Sequence, residues 1–352
     1  MAKAPAMAPA PILDAIEGVP LPREHGHLFG HGEAEQELLS AYQSERMHHA
    51  WILGGPKGVG KATLAFRFAR FVLENPQRNS PVVQTATSLS VPETSHTARM
   101  IAAGSHADLL HLKRPWDEKT KRFKRDLPVD EVRRTVSFFG STSAGGTWRI
   151  CIVDAADDMN ASAANALLKV LEEPPERSLF LVLSHNPGRL LPTIRSRCRR
   201  LELRRLDDGQ MSQTLGAFGF SPDEAGAYSP AVLAMADGCP RHAMLALGGE
   251  GREVADRFFG LMQSVPAIDM AEGHRFADLV AARGSDDAWY TFLDLARGFL
   301  SDRVRKDAQQ GAGSLVRWAE VWEKVSDAAA AADALNLDRK QVVLNFLKDL
   351  RG

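Results

Sequence analysis

The sequence predicts an α/β domain built on a parallel five-stranded sheet with flanking helices, followed by a region that is entirely helical. Three observations lead to this fold class. Between about residues 25 and 205, short apolar runs alternate with amphipathic helical patterns, which is typical of a parallel sheet covered by helices. A glycine-rich segment ending in lysine stands between one such run and one such helix. No convincing strand pattern follows Leu206.

Five short apolar runs are predicted to be the strands of the sheet, at residues 50–53, 108–112, 149–153, 179–183 and 200–203. Three stretches between them carry apolar residues at helical spacing and are predicted to be helices, at residues 61–73, 129–139 and 161–171. Residues 76–97 are rich in Pro, Gln, Asn, Ser and Thr, and we expect a long loop or insertion there.

Composition shifts divide the chain into four predicted regions. Residues 1–24 begin with an Ala/Pro-rich stretch and are expected to form a flexible leader, and residues 25–205 form the nucleotide-binding-like domain. Residues 206–250 are predicted to be a small helical lid that ends in a glycine-rich linker at 248–251, and residues 251–352 a helical C-terminal domain. Apolar stripes in that last region indicate a helical-bundle core, with packing against partner subunits as the alternative.

Composition also excludes several classes of protein. The 43 basic and 44 acidic residues give a net charge of −1, which excludes a polycation that binds nucleic acid through its total charge. The three cysteines include no CxxC pair, so neither a disulfide framework nor a metal site is predicted. The chain has no apolar signal-peptide core and no stretch near the roughly 18 apolar residues of a membrane span. We therefore expect a soluble cytoplasmic protein that does not interact with membranes.

The glycine-rich segment runs from Gly55 to Lys61 with the sequence Gly-Pro-Lys-Gly-Val-Gly-Lys, between an apolar strand and a helix. This is the setting of a phosphate-binding loop. Gly55, Gly58 and Gly60 would let backbone amides turn toward phosphate oxygens, and Lys61 would add a positive charge. The segment therefore predicts a phosphate-loop fold, whether or not the loop still carries out chemistry.

Two positions that make such a loop hydrolytic are altered. The residue after the lysine, whose hydroxyl usually holds Mg²⁺, is Ala62, and Thr63 comes one position late. One residue on a helix is a rotation of about 100°, so the Thr63 hydroxyl would point elsewhere. The loss of this hydroxyl argues against metal-dependent hydrolysis by this chain.

The acidic motif shows a matching change. The strand at 149–153 leads into Asp154, which could hold Mg²⁺ through water, but the next residue is Ala155 where a catalytic glutamate is usual. Asp157 and Asp158 follow and are predicted to be solvated helix N-cap residues, with a displaced general base as the alternative. The sequence therefore predicts a nucleotide-binding fold without intrinsic ATPase activity.

Three further segments together resemble the bacterial clamp-loader branch of the AAA+ superfamily. They are Ala161-Ser-Ala-Ala-Asn-Ala-Leu-Leu-Lys-Val-Leu-Glu-Glu-Pro-Pro175, Ser184-His-Asn-Pro187 and Ile194-Arg-Ser-Arg-Cys198. The resemblance covers residues 25–250 and, more weakly, the helical C-terminus. It implies an AAA+ domain, a lid and an oligomerising collar. The altered metal and base positions beside an intact Ser-Arg-Cys triplet imply a largely non-hydrolysing subunit.

The resemblance also implies roles for particular residues. Arg197 of the Ser-Arg-Cys triplet resembles an arginine finger, presented in trans to ATP on a neighbouring motor subunit. Ser184 and Asn186 match the sensor-1 position, and Arg241 matches the sensor-2 arginine of the lid. A degenerate nucleotide site would also include Gly55, Gly58, Gly60, Lys61, Thr63 and Asp154. No cofactor and no zinc are expected, and binding of ATP or ADP without hydrolysis is the alternative.

The implied function is a clamp-loader subunit of the DNA polymerase III complex that supplies an arginine finger and helps to load a sliding clamp onto primed DNA. Its implied partners are motor (gamma/tau) and delta subunits in a hetero-oligomeric ring, the sliding clamp, and primed DNA through the assembled complex. There are two alternatives. One is an active motor subunit in which Thr63 provides the missing hydroxyl, and the other is a phosphate-loop kinase. The basic segment 113–125 is predicted to be a solvated hairpin or loop, with nucleic-acid contact as its alternative.

Overall fold

The structure is a computed structural model, and it describes residues 11–44, 47–120, 122–140, 147–222, 228, 230–282, 286–310, 315–335 and 338–351. The chain divides into two compact units, of which the first ends at Arg204 and the second begins at Arg205. Residues 1–10, which open the predicted leader, lie outside the described residues.

The first unit is built on a parallel sheet of five strands, and two very short strands form a separate antiparallel ribbon. In chain order the strands are β1 (Ala50–Gly54), β2 (Leu109–Leu112), β3 (Trp116–Asp117), β4 (Arg122–Phe123), β5 (Arg149–Val153), β6 (Ser178–Ser184) and β7 (Arg199–Glu202). The sheet has the order β2-β5-β6-β1-β7. Each predicted strand lies within one residue of an observed one, which confirms the predicted sheet. β1 and β6 are buried along their whole length, because helices cover both faces of a parallel sheet.

Seven helices of the described residues belong to the first unit. They are α1 (Gly32–Gln43), α2 (Lys61–Glu74), α3 (Pro81–Gln84), α4 (His96–Ala102), α5 (Val129–Gly140), α6 (Ala161–Glu172) and α7 (Pro192–Arg195). α2 packs against β1, β5 and β6, whereas α5 and α6 pack together and share an apolar core with the sheet. Asn160 caps α6, because its side chain accepts a hydrogen bond from the Ala163 amide at 2.9 Å. The three helices predicted from spacing are confirmed.

The polar segment after α2 is more ordered than its composition indicates. The prediction of a long loop at residues 76–97 is wrong where α3 and the first turn of α4 form. Ser80 and Ser95 are the N-caps of these helices, and Val83 and Ala98 bury an apolar side chain in each. α3 has one buried position and α4 has two, so both helices are too short to show the repeated pattern from which helices are predicted.

Residues 11–24 of the predicted leader make backbone contacts in the structure. A short bridge joins Ile16 and Val19. Arg70 of α2 donates hydrogen bonds to the carbonyl oxygens of Arg23, at 3.0 Å, and His25, at 3.2 Å. Arg23 is therefore bonded to α2, and the flexibility of the predicted leader stays a prediction.

The second unit contains eight helices among its described residues and no strand. They are α8 (Asp208–Ala217), α9 (Pro230–Ala236), α10 (Pro240–Leu247), α11 (Gly249–Gln263), α12 (Met270–Val280), α13 (Asp286–Gln310), α14 (Leu315–Leu335) and α15 (Arg339–Arg351). Phe258, Phe292 and Phe346 are buried, with ring centroids 5.6–6.5 Å apart. The predicted helical region and its bundle core are confirmed, and its division into lid and collar stays a prediction.

The glycines between α10 and α11 are part of a packed junction. The linker predicted at 248–251 is wrong from Gly249 onward, because α11 begins there. The predicted boundary between residues 250 and 251 therefore falls inside a helix. A Cβ atom on Gly251 would lie 1.9 Å from the Leu245 carbonyl oxygen and 3.3 Å from Thr291 Oγ1. A glycine at this position lets α11 approach the end of α10 closely.

Gly251→Ala is expected to destabilise the protein by about 2–3 kcal/mol, because the new methyl group would force α10 and α11 apart. Gly260 is a matched control on the same helix, since a Cβ atom there would meet nothing within 4 Å. Gly260→Ala should stabilise by about 0.5–1 kcal/mol through the lower entropy of the unfolded chain. Thermal unfolding of both variants measures the difference, and equal stability would contradict the close approach.

Candidate nucleotide and arginine-finger sites

The sheet brings the predicted nucleotide-site residues together at one end of its strands. β1 ends at Gly54, and residues 55–60 connect it to α2. The parallel register places Gly54 beside Ser184, the last residue of β6. Asp154 directly follows β5, which pairs with β6. The loop, Asp154 and Ser184 therefore lie at the carboxyl ends of three adjacent strands, where ligands bind in open α/β sheets.

The backbone of the loop requires its glycines. Gly55 has φ +133°, and a Cβ atom there would lie 2.5 Å from the Leu203 carbonyl oxygen. Gly60 has φ +114°, and a Cβ atom there would meet the His31 ring at 3.5 Å. His31 Nε2 lies 2.8 Å from the Val59 carbonyl oxygen, and burial lowers the pKa of this imidazole. The loop keeps the glycine-dependent shape of a phosphate cradle.

The lysine of the loop is engaged by the loop itself. Lys61 Nζ donates hydrogen bonds to the carbonyl oxygens of Gly55 and Pro56, both at 2.7 Å, and the residue is only 5% exposed. In a working phosphate loop this ammonium group contacts the β- and γ-phosphates. A nucleotide would therefore have to compete with two carbonyl oxygens for Lys61.

The residues expected to hold a metal ion and to activate water lack two functional groups, and a third group is engaged within the chain. Ala62 and Thr63 are both half-buried in the first turn of α2, and only the second has a hydroxyl group. The Asp154 carboxylate lies 3.3 Å from Nε2 of His111 on β2, a partner that competes with a hydrated metal ion. Ala155 is buried and has no functional group. The donor set fits Mg²⁺ poorly.

Asp157 organises the end of β6. Its carboxylate accepts hydrogen bonds from the Ser184 hydroxyl at 2.9 Å, the His185 amide at 2.6 Å and the Asn186 amide at 3.0 Å. The predicted sensor-1 residues, Ser184 and Asn186, therefore both donate hydrogen bonds to the Asp157 carboxylate. The prediction that Asp157 is a solvated N-cap residue is wrong, because it lies inside a short 3-10 turn.

Asp158 is not a solvated N-cap residue either. It ends the same 3-10 turn, and its carboxylate forms an ion pair with Arg114 Nε at 3.0 Å. Burial raises the pKa of Asp158, and the Arg114 charge opposes that shift. Both aspartates are thus engaged within the chain, and a displaced general base stays the alternative.

Arg197 lies at the other end of the sheet. It follows α7 and precedes β7, whose first residue, Arg199, pairs with Trp51 near the start of β1. The phosphate loop begins at Gly55, beyond the far end of β1 and four residues after Trp51, a distance of about 13 Å along a strand. Arg197 therefore lies away from the loop of its own chain, and its role as an arginine finger stays a prediction.

The guanidinium group of Arg197 is held within the chain. Its Nη2 atom lies 2.8 Å from Oε1 of Glu172, the last residue of α6. Its Nη1 atom donates to the Thr193 carbonyl oxygen at 3.0 Å and approaches Ser196 Oγ at 3.5 Å. The side chain is about one-third exposed, so it stands at the surface rather than in the core.

Comparison with known proteins identifies the family of the chain. The family described as DNA polymerase III, delta subunit, matches residues 30–207. DNA polymerase III subunit delta' of Pseudomonas aeruginosa is 31% identical over 322 residues, which cover 88% of this chain and 90% of that protein. This chain belongs to the delta' family of DNA polymerase III clamp-loader subunits. The predicted resemblance to the clamp-loader branch is confirmed.

Other delta' and tau/gamma subunits match parts of the chain. The delta' subunit of Escherichia coli K12 is 31% identical over 165 residues, 47% of this chain and 45% of that protein. The tau/gamma subunit of Haemophilus influenzae is 29% identical over 194 residues, 55% of this chain and 26% of that protein. Among solved structures, a gamma subunit-related protein of Thermotoga maritima is 16% identical with a TM-score of 0.46, covering 91% of this chain and 98% of that chain.

In this member of the delta' family, Arg241 belongs to the second unit. It is the second residue of α10, directly after Pro240, and is half-buried. Its sensor-2 role stays a prediction, as do the sensor-1 roles of Ser184 and Asn186.

The basic segment 113–125 forms the ribbon of β3 and β4, with Lys121 outside the described residues. Trp116 pairs with Phe123 across the ribbon, with ring centroids 5.1 Å apart in an edge-to-face arrangement. This confirms the predicted hairpin. Three of its cations are exposed and make no ion pair with any described residue, namely Lys119, Lys124 and Arg125. Nucleic-acid contact by this delta' chain stays the alternative.

The described part of this delta' chain has neither a metal-binding cluster nor a membrane-spanning helix. Within the described ranges, no group of three or more His, Cys, Asp or Glu side chains could hold a metal ion. No helix of the described chain is long and apolar enough to cross a membrane. The absence of zinc and of any required cofactor stays a prediction.

The sequence analysis did not predict the roles of three site residues of this delta' chain. They are His111, Asp157 as a hydrogen-bond acceptor at the end of β6, and Glu172. Asp157 and Ser184 are 27 residues apart, and His111 and Asp154 are 43 apart. Both pairs lie near the ends of adjacent strands of the sheet. They could therefore have been predicted only from the order of the strands in the sheet. Glu172 and Arg197 meet at the opposite strand ends and share no motif.

Proposed function

We propose that this chain is the non-hydrolysing delta' subunit of a DNA polymerase III clamp loader, and that it supplies Arg197 as an arginine finger to ATP on a neighbouring motor subunit. The observation that carries the proposal is the separation of the two sites on opposite ends of the sheet. One end has a phosphate loop whose lysine bonds to carbonyl oxygens of the same loop. The other end has Arg197 at the surface.

The contacts at the loop support the loss of hydrolysis. Lys61 bonds to loop carbonyl oxygens and Asp154 pairs with His111, while Ala62 and Ala155 lack the hydroxyl and the carboxylate that hydrolysis uses. No metal chemistry can be assigned to these residues. The glycine geometry still suits a phosphate group, so the proposal allows ATP or ADP to bind without being hydrolysed and requires neither.

The position of Arg197 supports action in trans. A guanidinium group contacts two phosphate oxygens at once and neutralises the charge that develops as the γ-phosphate leaves. Such a group must stand on a surface that faces the nucleotide of another subunit. The partial exposure of Arg197 and its position away from its own loop support such a placement.

The proposed partners follow from the family. They are gamma/tau motor subunits and a delta subunit in a hetero-oligomeric ring, with the sliding clamp and primed DNA engaged by the assembled complex. The proposed location is the bacterial cytoplasm, at the nucleoid during replication. Within this assembly the chain acts as a fixed member of the ring whose own nucleotide state does not change.

The proposal is tested with Lys61→Met, which keeps the length of the side chain and removes its charge. The reconstituted complex should keep its ATP hydrolysis and clamp loading to within about twofold, because no transition-state interaction is lost. The matched control is the same substitution at the loop lysine of the motor subunit, which should abolish both activities.

Two further measurements complete the test. The isolated wild-type chain should show no steady ATP turnover, and thermal unfolding must show that Lys61→Met is folded. Steady turnover by the isolated chain, or a collapse of loading in the folded variant, would instead support an active motor subunit that uses Thr63.

A further inference from the structure

The two segments that carry the family resemblance contact each other through one ion pair. Glu172 belongs to the Leu-Glu-Glu-Pro-Pro run, and Arg197 belongs to the Ser-Arg-Cys triplet. Their Oε1 and Nη2 atoms are 2.8 Å apart. With Nη1 bonded to the Thr193 carbonyl oxygen at 3.0 Å, both terminal nitrogens of the guanidinium group are engaged within the chain. These are the atoms that an arginine finger uses to contact phosphate.

The stability of α6 does not explain the presence of Glu172. A helix carries partial negative charge at its C-terminus, so a carboxylate in the last residue is electrostatically unfavourable there. Glu172 occupies that residue, and its side chain is 44% exposed. Its one ion pair among the described residues is the contact with Arg197. The contact with Arg197 therefore explains the presence of a negative charge at this position.

The ion pair is of a kind that a nucleotide can displace. Both side chains are reached by water, at 35% exposure for Arg197 and 44% for Glu172, and ion pairs this exposed are weak and salt-sensitive. A γ-phosphate carries more charge than one carboxylate and can accept two parallel hydrogen bonds from the guanidinium group. A phosphate group that reaches Arg197 can therefore replace Glu172 as its partner.

We infer that Glu172 is a positioning residue for the arginine finger, and that it holds Arg197 in a retracted position until a neighbouring subunit presents ATP. The inference rests on the proposed function of Arg197. In the retracted position the carboxylate competes with the γ-phosphate for the same two nitrogens. The contact keeps ATP hydrolysis low in assemblies whose subunit interface is not closed.

The test uses the reconstituted complex with Glu172→Gln, which removes the charge and preserves the shape. The turnover number for ATP should rise about two- to fivefold at low salt, the range expected when a half-exposed ion pair no longer competes. KM for ATP should stay unchanged, because the substitution alters the engagement of the finger and not nucleotide binding. The double variant Glu172→Gln, Arg197→Ala should behave like Arg197→Ala alone.

Glu173→Gln is the matched control. Glu173 is the next residue, is also exposed, and makes no ion pair with any described residue. The control removes the same charge from the same helix end and should leave the turnover number unchanged. A general electrostatic effect would instead raise turnover equally in both variants, which would overturn the inference.

The outcomes separate this inference from the proposed function. If Arg197→Ala abolishes hydrolysis at the adjacent site while Glu172→Gln matches wild type or lowers turnover, the retracted position is refuted and the finger role stands. If Arg197→Ala has no effect, the finger role fails and the inference fails with it. Thermal unfolding of the Glu172→Gln chain, expected to match wild type, shows that a change in turnover does not come from misfolding.

Discussion

Arg197→Ala is expected to reduce ATP hydrolysis at the motor site next to this chain by about 10³-fold or more, the effect of removing an arginine finger from a nucleotide hydrolase. The chain itself should stay folded, because the side chain is partly exposed and its polar contacts among the described residues are with Glu172, Thr193 and Ser196. Single-turnover hydrolysis by the reconstituted complex measures the first effect, and thermal unfolding of the isolated variant checks the second.

Two further variants show whether geometry or charge is responsible. Arg197→Lys should not restore hydrolysis, since an ammonium group lacks the planar fork that contacts two oxygens at once. Arg204→Ala is the control for charge, because Arg204 is exposed and lies on the same basic stretch. Arg205 is unsuitable as a control, since it pairs with Asp237 and bonds to its carbonyl oxygen. Equal losses from Arg197→Ala and Arg204→Ala would indicate a diffuse basic patch.

The strands of this protein could be predicted because burial on both faces of a sheet demands continuous apolar runs. Residues 178–184 are buried at every position, and the sequence there is almost entirely apolar. The short helices α3 and α4 escaped prediction because one buried residue in α3 and two in α4 are too few to form a repeated pattern. Ser80 and Ser95 were the available cues, since each is an N-cap residue.

The nucleotide site was predictable where chemistry depends on residues close together in sequence. The loop from Gly55 to Lys61 is one continuous motif, so its fold could be inferred without knowledge of the sheet. The partners of Lys61, Asp154 and Arg197 could not be inferred in this way. They are a pair of loop carbonyl oxygens, His111 and Glu172, and each contact depends on side-chain directions in the folded chain.

Asp157→Ala is expected to lower the free energy of unfolding by about 2–4 kcal/mol, because three donors would lose a charged acceptor. The Ser184 hydroxyl is fully buried and would keep no partner in its place. Asp158→Ala is the matched control, since it removes one partly exposed ion pair with Arg114 and should cost about 0–1 kcal/mol. Thermal unfolding compares the two variants, and amide exchange at His185 and Asn186 reports the local effect.

The same variants decide whether Asp157 is a structural acceptor or a displaced catalytic base. A structural acceptor predicts lower stability for Asp157→Ala with no direct effect on chemistry, whereas a general base predicts lost hydrolysis in a chain of normal stability. Asp157→Asn should destabilise the chain about as much as Asp157→Ala. One of its two terminal atoms becomes an NH₂ donor that would face the amide donor of either residue 185 or residue 186. A stable Asp157→Asn chain with reduced ATP hydrolysis in the complex would therefore assign the carboxylate to catalysis and overturn the structural role.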